Sequence, residues 1–366
     1  MSVSTPRWSE SASRLHEVAP RNLTPTAPDP VTASRPAVSR ETTPRHARVR
    51  APQPASPSEA LGPGAIPSHA VPAESGWTPI AEEAERATRV KHPTDRLPRP
   101  PRRRVLAVAN QKGGVGKTTS TVNLAAGLAL QGLRTLVIDL DPQGNASTAL
   151  GVEHRSGTPS IYEVLLGQLS LTDVVAVSPQ SSNLLCIPAT IDLAGSEIEL
   201  VSMVARESRL RSALTSGALD ELGVDYVFID CPPSLGLLTV NALVAAPEVL
   251  IPIQCEYYAL EGLGQLLRNI ELVQAHLNPA LSVSTILLTM YDGRTKLADQ
   301  VTAEVRNHFG DQVLRTVIPR SVKVSEAPGF GQTVLVYDPG SRGALSYVDA
   351  AREIALDRRY VNRDTR

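Results

Sequence analysis

The chain has 366 residues, of which 42% are hydrophobic and 20% are charged, and its formal net charge at pH 7 is -1. This length allows one large domain with an appendage. No stretch approaches the ~18 consecutive apolar residues of a membrane span, and the first residues lack the apolar core of a signal peptide. The three cysteines form no CxxC motif or Cys/His cluster, so they indicate neither a metal site nor a disulfide framework. We therefore expect a soluble, cytoplasmic protein with buried free thiols.

The charge is unevenly distributed along the chain. Residues 1–104 carry 16 Lys and Arg against 10 Asp and Glu, whereas the remainder carries 20 against 27. Of the 30 prolines, 18 fall at or before Pro101. A segment of this kind buries too little apolar surface to offset its ordering entropy. We predict a disordered basic extension over residues 1–103, a folded domain over 104–358 and a short tail over 359–366.

One piece of the extension carries helix signals. Thr78 is a candidate N-cap, Pro79 follows it, and residues 80–87 begin with a glutamate-rich turn. With Trp77 ahead of it, the segment could form a short recognition helix, and the extension as a whole could bind a further scaffold protein. We favour the alternative, a frayed helix without a specific role.

Beyond residue 104, apolar runs alternate with helical patterns. The predicted strands are residues 105–109, 135–139, 183–187, 225–230, 249–253, 283–288 and 312–318. The predicted helices are residues 118–131, 161–166, 191–214, 261–277, 298–309 and 345–358. This alternation predicts an α/β fold, with a mostly parallel sheet covered by helices on both faces. Ligands in such folds bind beyond the carboxyl ends of the strands.

A glycine-rich segment, NQKGGVGKTT at residues 110–119, lies between the first predicted strand and the first predicted helix. Backbone N–H groups of such a turn, together with the helix N-terminus, cradle phosphates. Lys117 is placed to reach the β- and γ-phosphates, and the Thr118 hydroxyl to ligate Mg²⁺. A second lysine, Lys112, lies five residues before Lys117, which is rare in a phosphate loop. The alternative is a glycine-rich turn with chance lysines.

Three aspartates follow predicted strands near this loop. Asp230 ends the apolar run VFID, and a carboxylate there holds Mg²⁺, usually through a water, or caps the next turn. Asp141, one step beyond the second strand, is placed to orient an attacking water. Asp139 could hold the phosphate loop or a metal-bound water, or it could be purely structural.

Five separated motifs resemble those of bacterial ParA/Soj chromosome-partitioning ATPases over about residues 104–355. In order they are NQKGGVGKTT, DLDPQGNAST, FIDCPPSLG, TMYDGRT and VIPRSVKVSEAPGFG. The resemblance implies a deviant Walker P-loop fold that forms homodimers across ATP and binds nucleoid DNA without sequence preference. It also implies slow ATP hydrolysis with Mg²⁺, stimulated by a ParB-type centromere-binding partner.

The resemblance further implies roles for individual residues. Lys112 would reach the nucleotide of the partner subunit, and Asp141 would position the water. Arg294 and Arg320 would bind DNA. Pro319 and Ser321 would contact the adenine, although the family commonly has Asn where Ser321 stands. The remaining nucleotide contacts would come from Gly113, Gly114, Val115, Gly116, Lys117, Thr118 and Thr119.

Three alternatives belong to other functional classes. A membrane-positioning ATPase of the MinD type would need an amphipathic C-terminal helix, and the end of this chain is too charged for one. An electron-transfer or metallocluster-assembly ATPase would need bridging cysteines at a dimer interface, and Cys186, Cys231 and Cys255 offer no matching motif. A scaffold whose N-terminal extension does the work, with ATP as a structural ligand, is the third possibility.

Overall fold

The protein is represented by a computed structural model that describes residues 79–93, 96–256, 259–357 and 359. Most of the predicted extension, including Trp77 and Thr78, and most of the predicted tail lie outside the described residues. Within the described part, an eight-stranded sheet forms from β1 Arg104–Val108, β2 Thr135–Asp139, β3 Ala176–Val177, β4 Leu184–Ile187, β5 Tyr226–Asp230, β6 Glu248–Gln254, β7 Ser282–Tyr291 and β8 Val313–Pro319.

The strand order is β3-β4-β2-β5-β1-β6-β7-β8, and the described strands pair in parallel except β3 with β4. The predicted mostly parallel α/β fold is therefore confirmed. Register matters for the site, because Val108 of β1 and Asp139 of β2 both lie beside Asp230 of β5. The three central strands thus end at one level.

The sheet is covered on both faces, because alternate side chains of each strand point to opposite sides. Val227 and Ile229 belong to one apolar core, and Tyr226 and Phe228 to the other. The α-helices that supply these cores are α1 Pro79–Lys91, α2 Lys117–Leu130, α3 Asn145–Ala149, α4 Ile161–Leu166, α5 Leu171–Val174, α6 Leu193–Val201, α7 Arg209–Ala213, α8 Ser216–Glu221, α9 Leu237–Ala245, α10 Ala259–His276, α11 Lys296–Phe309, α12 Val322–Glu326, α13 Val334–Tyr337 and α14 Arg342–Ala355.

The prediction of one continuous helix over residues 191–214 is wrong. Helix α6 ends at Val201, Ala205 has a left-handed φ of 53°, and a 3₁₀ turn leads into α7. Asn241 of α9 compensates for the break, since its side chain accepts from the Leu210 N–H and donates to the Arg206 carbonyl. The break lets Leu210 turn into the core. The sequence periodicity could not predict the break, because it depends on the distant residue Asn241.

Helix α1 packs against the domain. Val90 is 3% exposed and joins the core formed with α2 and α14, and Leu97 joins the same core. The Leu97 N–H donates to the Gln131 carbonyl at the end of α2. The interpretation of this segment as a frayed helix is therefore wrong. Ordered packing begins upstream of residue 104, where the sequence placed the start of the folded domain.

A buried ion pair links β1 to β6, and its arginine also donates a hydrogen bond to the last helix. The Arg104 guanidinium donates to both carboxylate oxygens of Glu248, at 2.9 and 2.6 Å, and to the Ile354 carbonyl at 2.7 Å. Both side chains are almost fully buried. Removal of one member of such a pair leaves an uncompensated buried charge.

We expect Arg104→Met to lower the free energy of unfolding by about 3–5 kcal/mol, because it leaves the Glu248 carboxylate buried alone. Urea unfolding followed by circular dichroism measures the change. The control is Arg99→Met, because Arg99 is 77% exposed in its pair with Asp225 and should contribute less than about 1 kcal/mol. A combined Arg104→Met/Glu248→Met variant should recover most of the loss. Equal losses in the two single variants would contradict this account.

Candidate nucleotide-binding site

The glycine-rich loop connects β1 to α2 at the carboxyl edge of the sheet. Gly114 and Gly116 have φ values of 75° and 88°, a backbone conformation that residues with a Cβ atom rarely adopt. A Cβ built on Gly113 or Gly114 would meet no atom of the described chain within 4 Å. The loop therefore borders open space, where its N–H groups and the start of α2 can meet an anion.

The loop is held from both ends by neighbouring strands. Asn110 donates to the Pro252 carbonyl of β6 and accepts from the Lys112 N–H. The Thr289 hydroxyl of β7 donates to the Val115 carbonyl at 2.8 Å. The sequence predicted the loop at this edge, but it gave no sign of Pro252 or Thr289, which meet the loop only because the fold brings them there.

The two lysines of the loop have different surroundings. Lys117 is 7% exposed, and its Nζ donates to the Lys112 carbonyl at 3.4 Å. Burial lowers the pKa of Lys117, while the nearby Asp230, Cys231 and Asp141 oppose that shift. The Lys112 side chain is 34% exposed, and its Nζ lies 3.5 Å from Glu256 Oε2. One lysine therefore points into the site, and the other lies at the surface.

Asp230 lies beneath the loop and is completely buried. Its Oδ1 accepts from the Thr121 hydroxyl at 3.1 Å, and its Oδ2 has no hydrogen-bond partner among the described residues. Burial, and secondly the charge of Asp139, raise the pKa of Asp230 to about 8, although the Thr118 hydroxyl is close enough to lower it. A buried carboxylate oxygen without a partner, beside a threonine hydroxyl, fits a hard divalent cation.

Asp139 holds the turn that follows β2. Its carboxylate accepts from the Ser147 N–H at 2.8 Å, from the Ser147 hydroxyl at 2.7 Å and from the Asp141 N–H at 3.2 Å. Burial raises its pKa to about 6 despite these bonds. Of the roles left open by the sequence, these contacts favour the structural one. Asp141 is 9% exposed, and its carboxylate accepts a hydrogen bond from the Gln143 N–H. Its charge is also near enough to Lys117 to oppose the lowering of the lysine pKa by burial.

The two candidate DNA-binding arginines lie at the ends of adjacent strands, and each is paired with an acid. Arg294, 87% exposed, pairs with Asp292 at 2.8 Å, and these hydrogen bonds lower the pKa of Asp292 to about 2. Arg320 pairs with Glu256 at 3.3 Å, and its N–H donates to the Tyr291 carbonyl of β7. The fold brings both arginines to the same edge as the loop.

The two candidate adenine contacts lie at the end of β8. Pro319 is the last residue of that strand and pairs with Tyr291 of β7. Ser321 precedes α12, and its hydroxyl would lie 3.4 Å from a Cβ built on Gly343 of α14. The serine side chain thus faces the start of the last helix, and its role toward a base stays a prediction.

The cysteines are buried and free, as predicted, and burial raises the pKa of each thiol. The part of the chain that the structure describes has no group of three or more His, Cys, Asp or Glu side chains suited to a metal ion. Across residues 79–93, 96–256 and 259–357, none of the helices is both long and apolar enough to cross a membrane.

Comparison with known proteins agrees with this geometry. A family model described as an AAA domain matches residues 103–283. The sporulation initiation inhibitor protein Soj of Bacillus subtilis is 52% identical over 254 residues, which cover 69% of this chain and 99% of that protein. The chain belongs to the ParA/Soj family. The chromosome partitioning protein ParA of Myxococcus xanthus is 50% identical over 262 residues, which cover 72% of this chain and 89% of that protein.

Solved structures show the same fold. A cobyrinic acid a,c-diamide synthase of Mycobacterium smegmatis, crystallised with ADP and magnesium, is 41% identical with a TM-score of 0.59, covering 69% of this chain and 94% of that one. The septum site-determining protein MinD of Pyrococcus horikoshii, crystallised with Mg-ADP, is 25% identical with a TM-score of 0.55, covering 69% and 95%. The predicted P-loop fold is thereby confirmed for the ParA/Soj part of the chain.

We expect Thr289→Val to weaken nucleotide binding about fivefold, because it leaves the Val115 carbonyl without a bond of ~1 kcal/mol that holds the loop. Calorimetric titration with ADP measures the change. The matched control is Thr302→Val, whose hydroxyl contacts the Cys255 thiol rather than the loop. Nucleotide affinities that are equal in the two variants would show that the β7 contact does not organise the loop.

Proposed function

We propose that this protein is an ATPase that switches between monomer and dimer to partition DNA. The observation that carries the proposal is the pair of lysines on one phosphate loop, with Lys117 buried toward the site and Lys112 partly exposed at its edge. The family places such proteins in chromosome partitioning, and related structures were crystallised with adenine nucleotides and magnesium. A lysine at the surface of the loop is suited to a phosphate held by a second subunit.

The residues present fit ATP with Mg²⁺. The loop N–H groups, the start of α2 and Lys117 would hold the phosphates. Thr118 and the unpartnered oxygen of Asp230 would hold Mg²⁺, which supplies charge neutralisation on the phosphates when it is bound. Pro319 and Ser321 would border the base. A cation beside Asp230 would also oppose the effect of burial, which raises the pKa of this carboxyl.

Asp141 would orient the water that attacks the γ-phosphate. It lies two residues beyond β2, and its N–H donates to the Asp139 carboxylate, which holds the turn. Its charge is close enough to Lys117 to oppose the lowering of that lysine's pKa by burial, which supports a position near the phosphates. A carboxylate so placed accepts a hydrogen bond from the water and aligns it for in-line attack.

DNA binding would follow dimer formation. Arg294 and Arg320 lie at the edge that carries Lys112, so a dimer joined there would bring four arginines together. Cations focused on one face bind DNA without sequence preference by releasing condensed counterions. A ParB-type partner would stimulate hydrolysis and return the protein to the monomer. The protein would reside in the cytoplasm on the nucleoid, and the N-terminal extension could bind a further scaffold.

We expect Lys112→Ala to bind nucleotide but to lose ATP-dependent dimerisation and DNA retention, because Lys117 keeps the phosphates while the cross-subunit cation is gone. Size-exclusion chromatography with light scattering, run with ATP, ADP or neither and with or without DNA, measures both properties. Lys91→Ala, in the last turn of α1, is the control and should behave as the wild type. The switch would be disproved by DNA binding at fixed salt that is equally tight with and without ATP.

We expect Asp141→Ala to bind ATP and to form the dimer but to hydrolyse ATP at least about 100-fold more slowly, because the water loses its orienting group. Phosphate release in the presence of DNA measures the rate. Asp139→Asn should instead lower stability, since Asp139 holds the turn through three hydrogen bonds. Hydrolysis by Asp141→Ala at the wild-type rate would exclude the role given to this residue.

A further inference from the structure

Glu256 connects the phosphate loop to the end of the last strand. It lies two residues beyond β6, and its Oε2 is 3.5 Å from Lys112 Nζ, while its Oε1 is 3.3 Å from Arg320 Nη2. Gln254 also donates to Oε1. The side chain of Glu256 is 43% exposed, so both ion pairs can exchange partners. One carboxylate therefore contacts two cations from distant parts of the chain.

The sheet order explains how one side chain reaches both. Strand β6 neighbours β1, which precedes Lys112, and β7 separates β6 from β8, which precedes Arg320. The Arg320 N–H is anchored on the Tyr291 carbonyl of β7. The backbone is thus held, and it is the arginine side chain that can change its partner.

Each ion pair opposes one step of the proposed switch. Lys112 must leave the Glu256 carboxylate of its own chain before it can reach a phosphate in a second subunit. A DNA phosphate must likewise compete with Glu256 for Arg320. A cation contributes to DNA affinity by neutralising a phosphate, which releases a counterion from the DNA. Because Glu256 already neutralises Arg320, the carboxylate reduces the contribution of this arginine to DNA binding.

We propose that Glu256 is a positioning residue that restrains both cations in the nucleotide-free monomer. Through Lys112 it raises the ATP concentration needed for dimerisation, and through Arg320 it lowers the affinity for DNA. This inference rests on the proposed function, from which Lys112 and Arg320 take their roles, and adds a shared restraint on both. The restraint is modest, because exposed ion pairs change an equilibrium by up to about fivefold.

The test replaces Glu256 by Gln, which keeps the shape of the side chain and removes its charge. We expect the nucleotide-free Glu256→Gln protein to bind DNA two- to fivefold more tightly at fixed salt, as an exposed pair predicts, with a salt dependence steeper by about one counterion. The ATP concentration for half-maximal dimerisation should fall by a similar factor. The control is Glu221→Gln, which makes the same charge change at the exposed end of α8, near the amino end of β5.

Two double variants separate the effect of Glu256 on Arg320 from its effect on Lys112. Glu256→Gln/Arg320→Ala should lose the gain in DNA affinity but keep the shift in ATP concentration. Glu256→Gln/Lys112→Ala should keep the gain in nucleotide-free DNA affinity and lose dimerisation. Single-variant results equal to those of Glu221→Gln would overturn the inference, as would a DNA gain that persists without Arg320.

The wild-type protein tests the proposed function in the same assays. ATP-dependent dimerisation and DNA retention by the wild type, without any effect of Glu256→Gln, would overturn the restraint alone. Absence of ATP-dependent behaviour in the wild type would overturn the switch. The nucleotide-free DNA measurement would still decide the restraint on Arg320, because it requires neither ATP nor a dimer.

Discussion

Burial of two carboxylates at the ends of adjacent strands is the constraint on which the rest of the site depends. Asp139 and Asp230 are register partners in β2 and β5, and both are completely buried. Burial raises the pKa of both, to about 6 and about 8. Asp139 is satisfied by Ser147 and by the backbone of the next turn, whereas Asp230 keeps one oxygen without a partner. Unpaired buried polar groups are unfavourable, and proteins retain them where function requires them.

The phosphate loop depends on the same parallel sheet. Its glycines allow the turn, but hydrogen bonds to Pro252 and from Thr289 decide where the turn lies. Because β1 is flanked by β5 and β6, the loop lies between a carboxylate on one side and a backbone anchor on the other. This position buries Lys117 near Asp230 and leaves Lys112 at the rim. The two lysines of one loop therefore differ in burial and in the acids that they face.

The cations at this edge are counterbalanced within the chain. Arg294 pairs with Asp292, while Lys112 and Arg320 share Glu256. Exposed pairs of this kind are weak and are screened by salt, so phosphates can replace the carboxylates. Under the proposed function, the net acidic domain would then offer these cations to an anionic ligand without a change of fold.

Local patterns determined much of this protein from the sequence alone. The predicted range of β2 matches the structure, and the predicted ranges of β1, β5 and β6 differ from the observed ones by one residue at one or both ends. These strands are predictable because buried parallel strands are short apolar runs with polar ends. The spacing of glycines and lysines likewise identified the phosphate loop. Tertiary structure decided what those patterns could not contain. Helix α9 went unpredicted because it is apolar on nearly every side, and the helix break near Ala205 depends on Asn241.

The anchor of the loop on Thr289 joins residues 174 positions apart, and Glu256 unites cations from opposite ends of the domain. A local pattern records which residues can form a strand, a helix or a loop. Which distant side chains meet is determined only when the sheet order brings their strands together.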